Sequence, residues 1–179
     1  LQAAIPARLR FMGKDSMWEN RFFGWLFTTI GSFPVSRGTS DRAALTTALS
    51  VLMNGEDPVV AFAEGERKDG PRVHPLFDGA AYLASKAQVP IVPVGIGGTA
   101  AAMPRGAKMI YPKRVHVIIG KPMSPPALSE TGRLSRREVK KTTELLREEI
   151  QNLFDRAQIK AGTPNRRDRE EQPENPEGN

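Results

Sequence analysis

Val60-Ala61-Phe62-Ala63-Glu64-Gly65-Glu66-Arg67 joins a short apolar run to a charged turn. Four apolar residues have the length and composition of a buried strand end. Gly65 permits a tight backbone turn or the close approach of a ligand. Glu64 and Arg67 then face solvent at the end of that strand, which is where ligands gather in open α/β sheets. The same residues also fit a plain strand end closed by a surface ion pair, Arg67 with Glu66 or Asp69. The surrounding chain bears on which of the two it is.

Upstream, residues 9–12 read as a short strand ending at Gly13-Lys14. Asp15 or Ser16 can cap a helix that carries Trp18, Phe22, Phe23, Trp25, Leu26 and Phe27, and residues 31–35 read as a turn into a brief strand. Ser40 is a good N-cap for a helix over 42–53, with Asn54-Gly55 as its stop, and a strand over 59–62 follows at once. Beyond a loop at 68–71, residues 79–87 are small, apolar and helix-prone. Residues 89–94 read as the next strand despite two prolines, and 114–119 as another. Ser135-Arg136-Arg137-Glu138 has the capping-box pattern. It opens a helix whose Val139, Leu146, Ile150, Leu153 and Ala157 recur at helical spacing. Strands alternating with helices imply an α/β fold, a layered sheet of several mostly parallel strands flanked by helices. Residues 1–160 form one domain in this reading, and the Pro-, Asn- and Glu-rich residues 161–179 a disordered polar tail.

A chain of 179 residues is enough for one domain with a real core. It has no cysteine, which excludes disulfides and thiolate zinc sites. No run reaches the roughly 18 apolar residues needed to span a bilayer, residues 22–30 being too short. The net charge of +6 is unevenly spread: the tail from Gly162 holds three basic and five acidic residues, leaving +8 on the rest. Between Asp78 and Glu130 there is no acidic residue, yet Lys86, Arg105, Lys108, Lys113, Arg114 and Lys121 lie there. Such a basic stretch suits an anionic partner: a phosphate-bearing substrate, anionic lipid or nucleic acid. Val94-Gly95-Ile96-Gly97-Gly98-Thr99-Ala100 has the look of a dinucleotide loop, but its glycine spacing is wrong and Pro104 and Gly106 interrupt the helix that should follow. No acidic residue stands about twenty positions on, where a ribose would be held.

Three blocks, in order, carry a resemblance to a known family. Gly31-Ser32-Phe33-Pro34-Val35-Ser36-Arg37 resembles the Gly-x-Phe-x-x-x-Arg block of glycerolipid acyltransferases, the 1-acylglycerol-3-phosphate acyltransferase or PlsC-like family. Phe62-Ala63-Glu64-Gly65-Glu66-Arg67 is similar to its Phe-Pro-Glu-Gly-Thr-Arg block, with Ala63 for proline and Glu66 for threonine. Val89-Pro90-Ile91-Val92-Pro93-Val94 is similar to its proline-containing strand. Phe11-Met12-Gly13-Lys14, Phe77-Asp78-Gly79-Ala80 and Ile119-Gly120-Lys121-Pro122 fit the connecting pieces, so the likeness covers roughly residues 5–155.

The resemblance implies a glycerol-3-phosphate acyltransferase-like fold and a phospholipid-synthesis activity. A fatty acyl group would move from acyl-CoA or acyl carrier protein to 1-acylglycerol-3-phosphate, giving phosphatidic acid. Another lyso-lipid or glycolipid acceptor, or a non-catalytic lipid-binding relative, fits the same scaffold. The chemistry needs a base at the attacking hydroxyl, a held acceptor and a stabilised oxyanion. Arginine forks bind a phosphate monoester through two oxygens. Arg37 and Arg67 fall where the family places such residues, and Lys14 can add a point charge. Glu64 would orient Arg67, a backbone amide or an acceptor hydroxyl, and Gly65 would allow close backbone approach. Lys14, Arg37, Glu64, Gly65 and Arg67 are thus the expected substrate-binding residues.

One family block is missing. Members carry His-x4-Asp, whose histidine is the base and whose aspartate orients it. This chain holds only His74 and His116. His74 precedes Asp78 by one residue too few and on the wrong side of the Glu-Gly block, and reads as a loop histidine. His116 alternates with Val115 and Val117 on a strand. The expectation is that His-x4-Asp lies upstream of Leu1, so that no catalytic residue is within the chain and this stretch alone is inactive. No metal and no cofactor beyond the acyl co-substrate is expected. The partners would be a lysophospholipid or glycerol-phosphate acceptor and an anionic membrane surface, with no nucleic acid, at the cytoplasmic face of the cell membrane. The aromatic segment 18–27 can be core, membrane-interfacial surface, or both.

Overall fold

The computed structural model describes residues 9–29, 31–35, 42–55, 57–66, 68, 70–104, 106–107, 109–129 and 131–165. The chain forms two compact units, one of Leu1–Arg67, Leu76–Ile91 and Met123–Glu144, the other of Lys68–Pro75, Val92–Pro122 and Leu145–Asn179. Ser40 and residues 166–179 of the polar tail lie outside the described residues.

In the first unit three parallel strands stand in the order β2-β1-β3: β1 (Arg10–Lys14), β2 (Phe33–Val35) and β3 (Val59–Val60). Met12 pairs with Phe33 and Lys14 with Val35, while Arg10 pairs with Val59 and Phe11 with Val60. Parallel neighbours cannot be joined by a tight turn and need a crossover. Helices α1 (Arg21–Thr29) and α2 (Arg42–Met53) supply them. Along α2, Leu45, Ala48, Leu49 and Leu52 recur every three or four residues. They form one core with Leu83 of α3 (Gly79–Ala87), Met12 of β1 and Val59 of β3. Burying a leucine of this kind stabilises by about 1.5–3 kcal/mol.

The aromatic helix starts later than its sequence implies. Asp15–Trp18 form a 3-10 turn, and α1 begins only at Arg21. The reason is Asn20, whose Oδ1 accepts the Phe22 amide at 3.0 Å and caps the helix there. Gly31, at φ +85°, closes it: its amide donates to the Thr28 carbonyl at 3.0 Å and that of Ser32 to Phe27 at 2.8 Å. At Asn54-Gly55 α2 stops as read, with the Gly55 amide on the Leu52 carbonyl. Strand β3 is shorter than the expected 59–62, because Phe62 leaves the ladder to accept a bond from Gly65.

The second unit contains an antiparallel pair, β4 (Val94–Gly97) and β5 (His116–Ile119), with Val94 opposite Ile119 and Gly97 opposite His116. The fold is α/β as expected, but among the described residues parallel pairing is confined to β1, β2 and β3. The strand expected at 89–94 is displaced to 94–97. Pro90 and Pro93 have no amide hydrogen to give a ladder, and Ile91 alone makes a bridge, to Met123 in the first unit. The short α4 (Thr99–Ala102) ends before Pro104.

Gly95 and Gly97 lie two residues apart, on one face of β4. A Cβ at Gly95 would stand 2.3 Å from the Leu153 carbonyl carbon, and one at Gly97 2.3 Å from that of Ala157. Both contacts belong to α5 (Arg136–Ala161), whose backbone therefore rests directly on the strand, with Leu153 and Ala157 buried. The glycines that look like a nucleotide loop are the seat of a helix. Gln151 of α5 holds residues 71–73: its Oε1 accepts the Val73 amide at 2.6 Å and its Nε2 donates to the Pro71 carbonyl at 3.1 Å.

Candidate functional site

The carboxyl ends of parallel strands share one edge of their sheet. β1 ends at Lys14, paired with Val35 at the end of β2, and β3 ends at Val60, four residues before Glu64. The chain places β3 on the opposite side of β1 from β2. Such a reversal of strand order opens a crevice at the strands' carboxyl ends. Lys14 and the Glu64-Gly65 turn therefore come to the same edge. Arg37, Arg67 and the side chain of Lys14 lie outside the described residues.

The turn itself is a built structure. The Gly65 amide donates to the Phe62 carbonyl at 2.9 Å, closing Phe62-Ala63-Glu64-Gly65, and Gly65 has φ +74°. The Ala63 carbonyl accepts the Phe77 amide at 2.9 Å, tying the turn to the segment that leads into α3. The Phe77 ring then covers Gly65: a Cβ there would stand 2.6 Å from Phe77 Cε2. Gly65 is thus required twice, by its backbone conformation and by the ring on it. Glu64 is half-buried, whereas Phe62 and Phe77 are exposed. Asp78, next to Phe77, accepts the hydroxyl of buried Thr143 at 2.8 Å instead of capping α3. Phe77 did not stand out as a site residue in the sequence. Its only signal was membership of the Phe77-Asp78-Gly79-Ala80 block.

The remaining candidates lie elsewhere in the chain. His74 is in the loop before Pro75, half-buried, and His116 is on β5 opposite Gly97. The aromatic segment divides: Trp18 packs on Phe27 with ring centroids 5.5 Å apart and donates Nε1–H to Thr28 Oγ1, while Phe22 and Trp25 are exposed. A shallow cavity of about 440 Å³ runs along this helix, lined by Trp18, Arg21, Gly24, Trp25, Thr28 and Thr29. Neither Glu64 nor Gly65 lines it. Among the described residues no group of three or more His, Cys, Asp or Glu side chains could hold a metal ion, and no helix is long and apolar enough to cross a membrane.

Residues 1–97 match the family model described as Acyltransferase. Among curated proteins, the chain is 27% identical over 152 residues to a 1-acyl-sn-glycerol-3-phosphate acyltransferase of Streptococcus pneumoniae, covering 84% of this chain and 53% of that protein. A protein of the same description from Bacillus subtilis is 28% identical over 120 residues, 66% of this chain and 56% of its own length. The crystal structure of the 1-acyl-sn-glycerophosphate (LPA) acyltransferase PlsC from Thermotoga maritima aligns with TM-score 0.61 at 26% identity, over 82% of this chain and 57% of that one. The chain spans about half the length of the curated bacterial relatives it matches. With a family model matching more than half of its residues, a shared fold and the ordered blocks, the chain belongs to the acyltransferase family as a PlsC-like member.

Proposed function

We propose that the protein takes part in phospholipid synthesis, transferring a fatty acyl group from a thioester, acyl-CoA or acyl carrier protein, to 1-acylglycerol-3-phosphate. The observation that carries this reading is the Phe62–Gly65 turn, set at the carboxyl edge of the parallel sheet within a PlsC-like chain. The names of the relatives support the acceptor. In the reaction the acceptor hydroxyl oxygen bonds to the acyl carbon, the carbon–sulfur bond breaks, and the thiol leaves with the hydroxyl proton. Lys14, Arg37 and Arg67 hold the acceptor phosphate, with Glu64 orienting Arg67, a backbone amide or the acceptor hydroxyl, and Gly65 giving the backbone room for close approach. The site works against the cytoplasmic face of the membrane, from which the lipid acceptor enters.

The test is acyl transfer by the protein as encoded, offered 1-acylglycerol-3-phosphate with each thioester. Formation of phosphatidic acid is the expected result. Transfer only to a different lyso-lipid or a glycolipid would reassign the acceptor. Binding of lysophosphatidate without any transfer would make the protein a lipid-binding relative.

A further inference from the structure

We propose that the exposed run of residues 109–115 is a membrane-contacting element, which docks the second unit on an anionic phospholipid surface. The run is tied down by the Tyr111 amide on the Ala102 carbonyl at 2.8 Å, and ahead of it the Ala107 amide donates to the Pro104 carbonyl at 3.0 Å. Gly106 borders open space, where an added Cβ would meet nothing within 4 Å. Beyond that glycine the chain exposes a run of large apolar side chains: Met109 is 71% exposed, Ile110 76%, Tyr111 50% and Val115 44%. Isolated exposed apolar residues are ordinary, but a contiguous set marks a contact surface.

Charge names the occupant. Lys113 and Arg114 are exposed within the same run, and it lies in the stretch from residue 79 to 129 that holds no acidic residue. Aliphatic side chains beside a tyrosine and two cations match the depth profile of a bilayer surface. Aliphatic groups reach the acyl boundary, the tyrosine ring stays at headgroup level, and the cations meet anionic phosphates. An acidic protein would satisfy Lys113 and Arg114 but gives no role to Met109 and Ile110. The inference rests on the reading that the acceptor is a membrane lipid, yet it is tested by binding and not by catalysis.

The experiment is co-sedimentation of the protein with vesicles of phosphatidylcholine mixed with phosphatidylglycerol, and of phosphatidylcholine alone. Parent protein is expected to prefer the mixed vesicles and to lose that preference as salt rises. Joint replacement Lys113→Ala and Arg114→Ala should weaken binding to mixed vesicles by about fivefold per residue. Ile110→Asp should weaken it about tenfold with an unchanged melting temperature, since the side chain packs on little. The proposal is overturned if Ile110→Asp binds as the parent does, or if only Trp25→Ala in α1 abolishes binding. It is also overturned if the loop variants lose acyl carrier protein but keep vesicles. Acyl transfer by the protein as encoded, to a detergent-dispersed acceptor, separates the two readings. Transfer without vesicle binding rejects the docking loop alone, and vesicle binding without transfer counts against the acyltransferase reading alone.

Discussion

The ring of Phe77 occupies the space in which a side chain on Gly65 would begin, with Cε2 2.6 Å from the position of an added Cβ. The contact joins the turn after β3 to the entry of α3, and a backbone bond between Phe77 and Ala63 reinforces it. The candidate site is therefore shaped by two segments more than ten residues apart.

Gly65→Ala meets two separate obstacles. The left-handed backbone, φ +74°, costs an alanine about 1–2 kcal/mol. Phe77 must also move, which its exposure permits. Thermal melting should show a fall of several degrees, of which the double variant Gly65→Ala with Phe77→Ala regains only the steric part. Full recovery in the double variant would refute the backbone contribution.

Gly97→Ala should be more damaging although φ is not in the left-handed region, since the added Cβ would strike the Ala157 backbone at 2.3 Å and no rotamer change relieves that. A loss of about 3 kcal/mol is expected in denaturant unfolding. Gly79→Ala is the contrast: it heads α3, its nearest neighbour would be Leu45 Cδ2 at 4.0 Å, and a gain of about 0.4–1 kcal/mol is expected.

Gln151→Leu keeps the side-chain bulk but leaves the buried Val73 amide without its acceptor and the Pro71 carbonyl without its donor. Each lost partner costs about 1–3 kcal/mol. Hydrogen exchange at the Val73 amide should accelerate in this variant and stay slow in Gln151→Glu, which retains the acceptor oxygen.

Arg67→Ala, in the protein as encoded, should raise the KM for 1-acylglycerol-3-phosphate by about tenfold to a hundredfold. The KM for the thioester should change little, and Arg67→Lys should recover part of the loss. Unchanged acceptor kinetics would reject the phosphate-holding role.

Much of this was legible along the chain. The ends of α2 and α3, the turn at Gly31 and the start of α5 follow from local signals, because caps, turns and helical periodicity act within a few residues. The Glu64-Gly65 turn was legible for the same reason, down to the need for a flexible backbone at Gly65. α1 starts later than Asp15 or Ser16 implies because Asn20, with its Oδ1 on the Phe22 amide, takes the capping role. β4 leaves little trace in the sequence because its core-facing positions are glycines, which carry no hydrophobic signal.

Amino-acid order alone set the element types, the acid-free basic stretch and the blocks of an acyltransferase. It left open whether Gly95 and Gly97 approach a ligand or a helix, and nothing around them in the sequence shows Leu153 and Ala157, some sixty positions on. Packing resolved that question, as it did the placing of Phe77 on Gly65 and the division of strands between a parallel and an antiparallel sheet. A turn or a cap is decided by neighbours along the backbone, whereas close approach depends on which distant surfaces meet and how little side chain stands between them.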